Sequence, residues 1–149
     1  MDAIPDGRTV PRVDLPREVS EVILEHARGC LPDECCGLLL GRDLRVTHAW
    51  PARNEAASPT RYRVDPRDYL AAMRFGRARG LDVVGAYHSH PTSTALPSRT
   101  DTAESAGAEF LYVIAGPIAA ASTEIRAFRF IDGNFLELTV VTHAQENTP

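Results

Sequence analysis

The stretch LDVVGAYHSHP, residues 81–91, constrains the fold more than any other part of the chain. Its first half is apolar and β-branched without a clean alternation of apolar and polar side chains, which is the pattern of a strand covered on both faces. Such a strand belongs in the middle of a sheet. Its far end carries two histidines and stops at Pro91, so the centre of the sheet delivers a pair of imidazoles to the place where the strand ends.

The remainder of the chain reads as neighbours and cover for that strand. Residues 1–13 read as a loose arm. Asp14-Leu15-Pro16 opens a helix with Val19, Val22, Ile23 and His26 along one stripe, ending near Gly29. On that stripe His26 reads as a packed core residue rather than a ligand. Residues 37–41 and 45–50 read as strands joined at 42–44, and 51–59 as a turn-rich loop. Residues 62–64 are expected to form a short strand. Asp65-Pro66 then supplies an N-cap and a first-turn proline for a helix reaching about Arg79, with Tyr69, Leu70, Met73 and Phe75 at helical spacing and Gly80 as its stop. A short helix over 100–106 follows the histidine strand, then strands over 110–115, 123–131 and 135–142. Asp132-Gly133 marks a hairpin between the last two. No repeat or linker interrupts this order, so the reading is one domain over 14–143 and a frayed tail over 144–149. A chain of 149 residues with 44% hydrophobic content can bury roughly two-thirds of its unfolded surface, enough for a core and a pocket.

Composition removes several classes of function. The net charge is −4, and the 16 basic residues are scattered singly rather than gathered in a stripe, which argues against nucleic acid as a partner. All 16 are arginine, so no side chain here can accept an isopeptide link through lysine. The N-terminal stretch MDAIPDGRTVPRVDLP breaks any signal-peptide core with charges and prolines, and the apolar runs at 35–40 and 113–121 are too short to span a bilayer. A cytoplasmic protein with no membrane partner is expected. Cys30, Cys35 and Cys36 are odd in number and form no C-x-x-C pair, so they read as small buried apolar residues in a reducing compartment.

The chemistry lies in HSHPTSTALPSRTD, residues 88–101. His88 and His90 are two apart on a strand, so both side chains leave one face with Cα atoms about 6.5–7 Å apart, within reach of a single ion. Asp101 follows a proline-containing loop able to fold back, and would add an oxygen ligand; three protein ligands leave a tetrahedral ion one position for water. Each piece has a plainer reading. A histidine pair at a strand end is commonly a solvated edge, and Ser98-x-x-Asp101 resembles a helix capping box. A shuffled chain of this composition would show the whole pattern with a probability of about 5 in 10,000, which makes chance a poor explanation. Amide hydrolysis at such a site also needs a carboxylate beside the water, to move its proton to the leaving nitrogen. Glu34 precedes a strand that could neighbour the histidine strand, but position alone does not select it among ten glutamates.

The pattern H-x-H-P-x6-S-x-x-D, with P-x-E-C-C-G-L-L-L-G upstream, closely resembles the JAMM motif of the MPN-domain (Mov34/JAB) zinc metalloproteases. The compact E-C-C-G strand and the stretch from Asn54 through Arg61-Tyr62-Arg63-Val64-Asp65-Pro66 look bacterial in type. The resemblance covers residues 16–142 and implies an α/β fold of the α+β type, with a mixed, curved β-sheet flanked by helices (cytidine-deaminase-like). It implies that His88, His90 and Asp101 bind one Zn2+ per chain, that Glu34 is the general acid/base, and that Ser98 hydrogen-bonds the developing oxyanion. Inactive MPN scaffolds lack one or more of these five residues.

The same resemblance implies a substrate: the amide bond after the C-terminal Gly-Gly of a small ubiquitin-like sulfur-carrier protein. An extended Gly-Gly tail can lie beside a strand and pass a channel closed to larger side chains. Arg53, Arg61 and Arg63 could steer such a partner or could simply be solvated, and Asn54 could touch substrate or serve a turn. Ser89 should face away from the histidines and make a structural hydrogen bond. His48 and His143 have no spacing that links them to the site. The alternative function is a non-catalytic, zinc-stabilised MPN interaction module; a nucleobase deaminase would need H-x-E and P-C-x-x-C, which are absent. The oligomeric state is left open.

Overall fold

A computed structural model describes residues 10–104 and 110–144. Among them the elements run β1 (Arg12–Asp14), α1 (Arg17–Cys30), β2 (Cys36–Arg42), β3 (Arg45–Ala52), α2 (Pro66–Ala78), β4 (Asp82–Ser89), α3 (Arg99–Glu104), β5 (Leu111–Gly116), β6 (Glu124–Ile131) and β7 (Asn134–Val141). The histidine strand β4 is central, pairing antiparallel with β2 and parallel with β5. The sheet is mixed, in the order β1-β3-β2-β4-β5-β6-β7. It curls until β1 meets both ends, pairing parallel with β7 over three residues and with β3 at Asp14↔Arg45. The arm expected to reach residue 13 therefore gives way at Arg12, because the edge of β7 offers these residues backbone partners. The rest of the expected arm, 1–9, and the tail from 145 lie outside the described residues.

β4 alternates poorly for a physical reason. Its ladder with β2 runs Leu39↔Gly85 and then Leu40↔Val83, so Val84 is an extra residue in a β-bulge. Beyond the bulge, Tyr87 joins the cluster under α1 with Val19, Ile23 and Ala27, whereas Ala86 joins Leu38, Leu40 and Ala72 under α2. Each face of the sheet thus has its own helix. Gly37 lies directly across from Tyr87, and a Cβ there would collide with the Tyr87 ring, so this glycine makes room for the largest fully buried side chain. The Tyr87 hydroxyl meets His26 Nδ1 at 2.8 Å, which gives His26 the core role expected of it.

Both helices sit slightly differently from the expected stripes. In α1, Val19, Ile23 and Ala27 are buried while Val22 stays exposed. In α2 the small residues Ala72 and Gly76 face the sheet, and Leu70 and Met73 turn outward. A Cβ on Gly76 would stand 2.7 Å from the Leu81 carbonyl oxygen, so the helix approaches too closely for larger side chains. Asp65 caps α2 as anticipated, accepting from Arg67 N–H at 2.8 Å. Residues 62–64 form no strand; the segment makes one bridge, Asn54↔Val64. The hairpin at Asp132-Gly133 has positive φ at both residues, as a tight two-residue turn requires. No helix among the described residues is long and apolar enough to cross a membrane.

Candidate active site

Six polar or charged side chains are buried among the described residues, and five of them gather where β4 ends: Glu34, His88, Ser89, His90 and Asp101. Burying so many polar groups in one place costs stability unless they are mutually satisfied or serve a ligand.

Strand geometry sets the histidines. His88 Nε2 and His90 Nε2 lie 3.2 Å apart, and Asp101 Oδ2 is 3.1 Å from the first and 3.2 Å from the second. The capping box aims that carboxylate: Asp101 N–H donates to Ser98 Oγ at 3.0 Å and Ser98 N–H donates to Asp101 Oδ2 at 2.8 Å, at the N-terminus of α3. The two readings of Ser98-x-x-Asp101 left open by the sequence are thus one structure, in which the cap holds the acid against the imidazoles. Burial alone would push the Asp101 carboxyl up. Hydrogen bonds from His88 and His90, the charge of His88 and the Ser98 amide overcome this and hold it well below the usual carboxylate range.

The donor set fits a metal ion. His90 Nδ1 meets the Thr94 carbonyl at 2.7 Å, and a carbonyl can only accept, so Nδ1 carries a proton; once Nε2 gives up the proton it shares with Asp101, its lone pair is free to bind an ion. The three donor atoms lie within 4.8 Å of one another. A tetrahedral zinc with bonds of about 2.0–2.1 Å places its ligands about 3.3–3.4 Å apart, close to the spacings seen.

Glu34 arrives from the neighbouring strand. The β2–β4 register pairs Cys36 with His88, and Cys35 is fastened to Ser89 by two bonds: Cys35 N–H to Ser89 Oγ at 2.8 Å and Ser89 N–H to Cys35 O at 3.2 Å. Continued by one more pair, that ladder sets Glu34 opposite His90, and the Glu34 charge is among the influences that raise His90 against the lowering effect of burial. Ser89 therefore does face away from the histidines and ties the Glu34 segment to β4.

Two loop residues stand beside these: Tyr62, given no role by the sequence, and Asn54, for which the sequence left a substrate contact or a turn role open. Tyr62 stacks flat on His88, with ring centroids 4.3 Å apart and planes inclined by 17°. Asn54 donates from Nδ2 to the carbonyls of Glu34 (3.1 Å) and Arg61 (3.0 Å) and accepts at Oδ1 from Ala56 and Arg63 N–H. It is a turn residue, and the turn it builds presents Tyr62. For Tyr62 the sequence offered no signal beyond its place in the 54–66 stretch. Arg53 pairs with Asp68 and Asp65, and Arg63 with Glu55, on the exposed side of this loop. His48 meets Phe75 edge to face, with ring centroids 5.3 Å apart, and is not among the grouped donors. Burial pushes the Cys35 and Cys36 thiols up to about 12, consistent with inert packing residues.

The family described as prokaryotic homologs of the JAB domain matches residues 16–131. The chain belongs to that family. Among relatives of this JAB-domain protein, a desampylase from Haloferax volcanii is 36% identical over 139 residues, covering 89% of this chain and 97% of the relative. A CysO-cysteine peptidase from Mycobacterium tuberculosis is 33% identical, covering 80% and 84%. The solution structure of a Desulfitobacterium hafniense protein superposes with a TM-score of 0.82 at 29% identity, over 89% of this chain and 94% of that one. The JAB-domain protein is a compact JAMM-type hydrolase whose fold is the expected mixed sheet with flanking helices.

Proposed function

We propose that this hydrolase is a zinc-dependent peptidase cleaving the amide bond after the C-terminal Gly-Gly of a small ubiquitin-like protein of the sulfur-carrier type. His88, His90 and Asp101 hold one zinc ion per chain, Glu34 is the general acid/base, and Ser98 stabilises the oxyanion. The observation carrying this reading is the convergence of three buried donor atoms within 4.8 Å, with Glu34 brought alongside by the β2–β4 register. The relatives described as a desampylase and a CysO-cysteine peptidase support a peptidase acting on a protein adduct.

When bound, zinc supplies Lewis-acid polarisation of the scissile carbonyl and lowers the pKa of the attacking water to about 7. The protein supplies the rest. Glu34 accepts the water's proton and passes it to the departing amine, which must leave protonated. Its backbone is fixed on both sides, with N–H donating to the Ser58 carbonyl at 2.9 Å and C=O accepting from Asn54, so the carboxylate acts from a set position. The Ser98 oxygen already accepts the Asp101 amide, and its hydroxyl proton is the donor an oxyanion would take up.

Glu34→Gln tests the assignment. The variant is expected to retain one zinc per chain by elemental analysis and to lose hydrolysis of a ubiquitin-like protein extended beyond its Gly-Gly by a short peptide, read by intact mass. An interaction module without catalysis would bind zinc equally well and show no cleavage in the wild type either. A Glu34→Gln protein that cleaves at the wild-type rate would remove Glu34 from the mechanism.

A further inference from the structure

An apolar cavity of about 790 Å³ opens beside the donor set, lined by Leu38, Tyr62, Val64, Ala86, Phe110 and Tyr112 among others. His88 is not part of its wall. Tyr62 belongs to both places: it lines the cavity, and its ring stacks on His88. The Tyr62 ring thus stands between the cavity and the donor atoms.

The ring is held firmly enough to act as a size limit. The peptide groups on either side of Tyr62 are clamped by one side chain, since Asn54 accepts from Arg63 N–H at 2.9 Å and donates to the Arg61 carbonyl at 3.0 Å. Glu55 N–H adds a bond to the Arg63 carbonyl at 2.8 Å. With backbone fixed on both flanks and one ring face against His88, the tyrosine has little freedom to swing aside.

We propose that Tyr62 is the specificity-determining residue on the acyl side of the scissile bond. Its clamped ring leaves room for a glycine where the residue supplying the attacked carbonyl must sit, and none for a side chain. The inference rests on the peptidase reading above. It names the feature of the site that selects a substrate ending in glycine.

The test compares a ubiquitin-like protein ending in Gly-Gly plus a short peptide with the same protein ending in Gly-Ala plus that peptide. The wild type is expected to cleave the Gly-Ala form about tenfold or more slowly, the order of discrimination a single methyl group provides. Tyr62→Phe keeps this ratio because it keeps the ring. Tyr62→Ala and Tyr62→Leu bring the ratio close to one while cleavage after Gly-Gly persists. In a Glu34→Gln background, which binds without cleaving, Tyr62→Ala raises affinity for the Gly-Ala tail relative to the Gly-Gly tail by a similar factor in calorimetry. An unchanged ratio in both truncations overturns the inference and leaves the peptidase reading standing. Loss of both cleavages in both truncations, with zinc retained, also overturns it, because the ring would then serve the chemistry rather than the selection. A wild type that leaves the Gly-Gly substrate intact overturns the peptidase reading itself.

Discussion

At the scale of single residues, Ser89 shows how a side chain outside the chemistry can govern it. It lies between the two histidines and points away from them, yet its Oγ takes the buried Cys35 N–H and its own N–H goes to the Cys35 carbonyl. Cys35 follows Glu34 directly, so the position of the proposed base along β4 depends on this pair of bonds. Ser89→Ala leaves a buried N–H without its acceptor, a cost of about 1–3 kcal/mol. Denaturant melts should show that loss, and kcat should fall while zinc content stays at the wild-type level. Ser89→Thr, which retains the hydroxyl, should recover more of the rate than Ser89→Ala; equal rates in the two variants would mean that the hydrogen bond does not position Glu34.

Among the elements, the irregular segment between β3 and α2 has the largest effect on the site. Asn54 satisfies all four hydrogen-bonding positions of its amide within this loop and at the Glu34 carbonyl, so one side chain holds both the proposed base and the tyrosine over His88. Asn54→Ala is expected to leave the sheet and both long helices intact by circular dichroism and to lower kcat/KM by about 10²-fold, the scale at which misplacement of about 1 Å acts. Hydrogen exchange at the Ala56 and Arg63 amides should accelerate; unchanged exchange would show that the loop is held by other contacts. The same loop marks the limit of what the sequence made legible. Helices and strands with a clear period were found close to their observed bounds, and His88, His90 and Asp101 could be grouped because a strand and a capping box each impose a local spacing. Glu34 needed the β2–β4 register, which no local rule encodes, and the family resemblance stood in for it. Tyr62 and Asn54 act through hydrogen bonds across a loop without periodicity. β1 is three residues long and exists only because β7 provides an edge, so no local signal could distinguish it from an arm.

For the whole molecule, the donor set joins the centre of the sheet to a short helix outside it. His88 and His90 belong to the centre of the sheet, whereas Asp101 belongs to a six-residue helix reached through the loop after Pro91. A helix that short is marginal by itself, and the capping box supports only its first turn. A metal ion held by all three residues would staple this helix to β4, and a ligand that binds only the folded state stabilises it by mass action. Zinc at about 100 times its dissociation constant should therefore add about 2.7 kcal/mol. For a chain of this length that corresponds to a rise in melting temperature of about 5–10 °C. Chelation should reverse the rise, with the earliest loss of exchange protection in α3 and the preceding loop rather than in β4. Glu34→Gln should show the full shift, because Glu34 stands beside the ion without binding it, whereas Asp101→Ala should show little of it. A melting temperature indifferent to both zinc and chelator would mean that these three side chains do not hold an ion, and the peptidase reading would lose its electrophile.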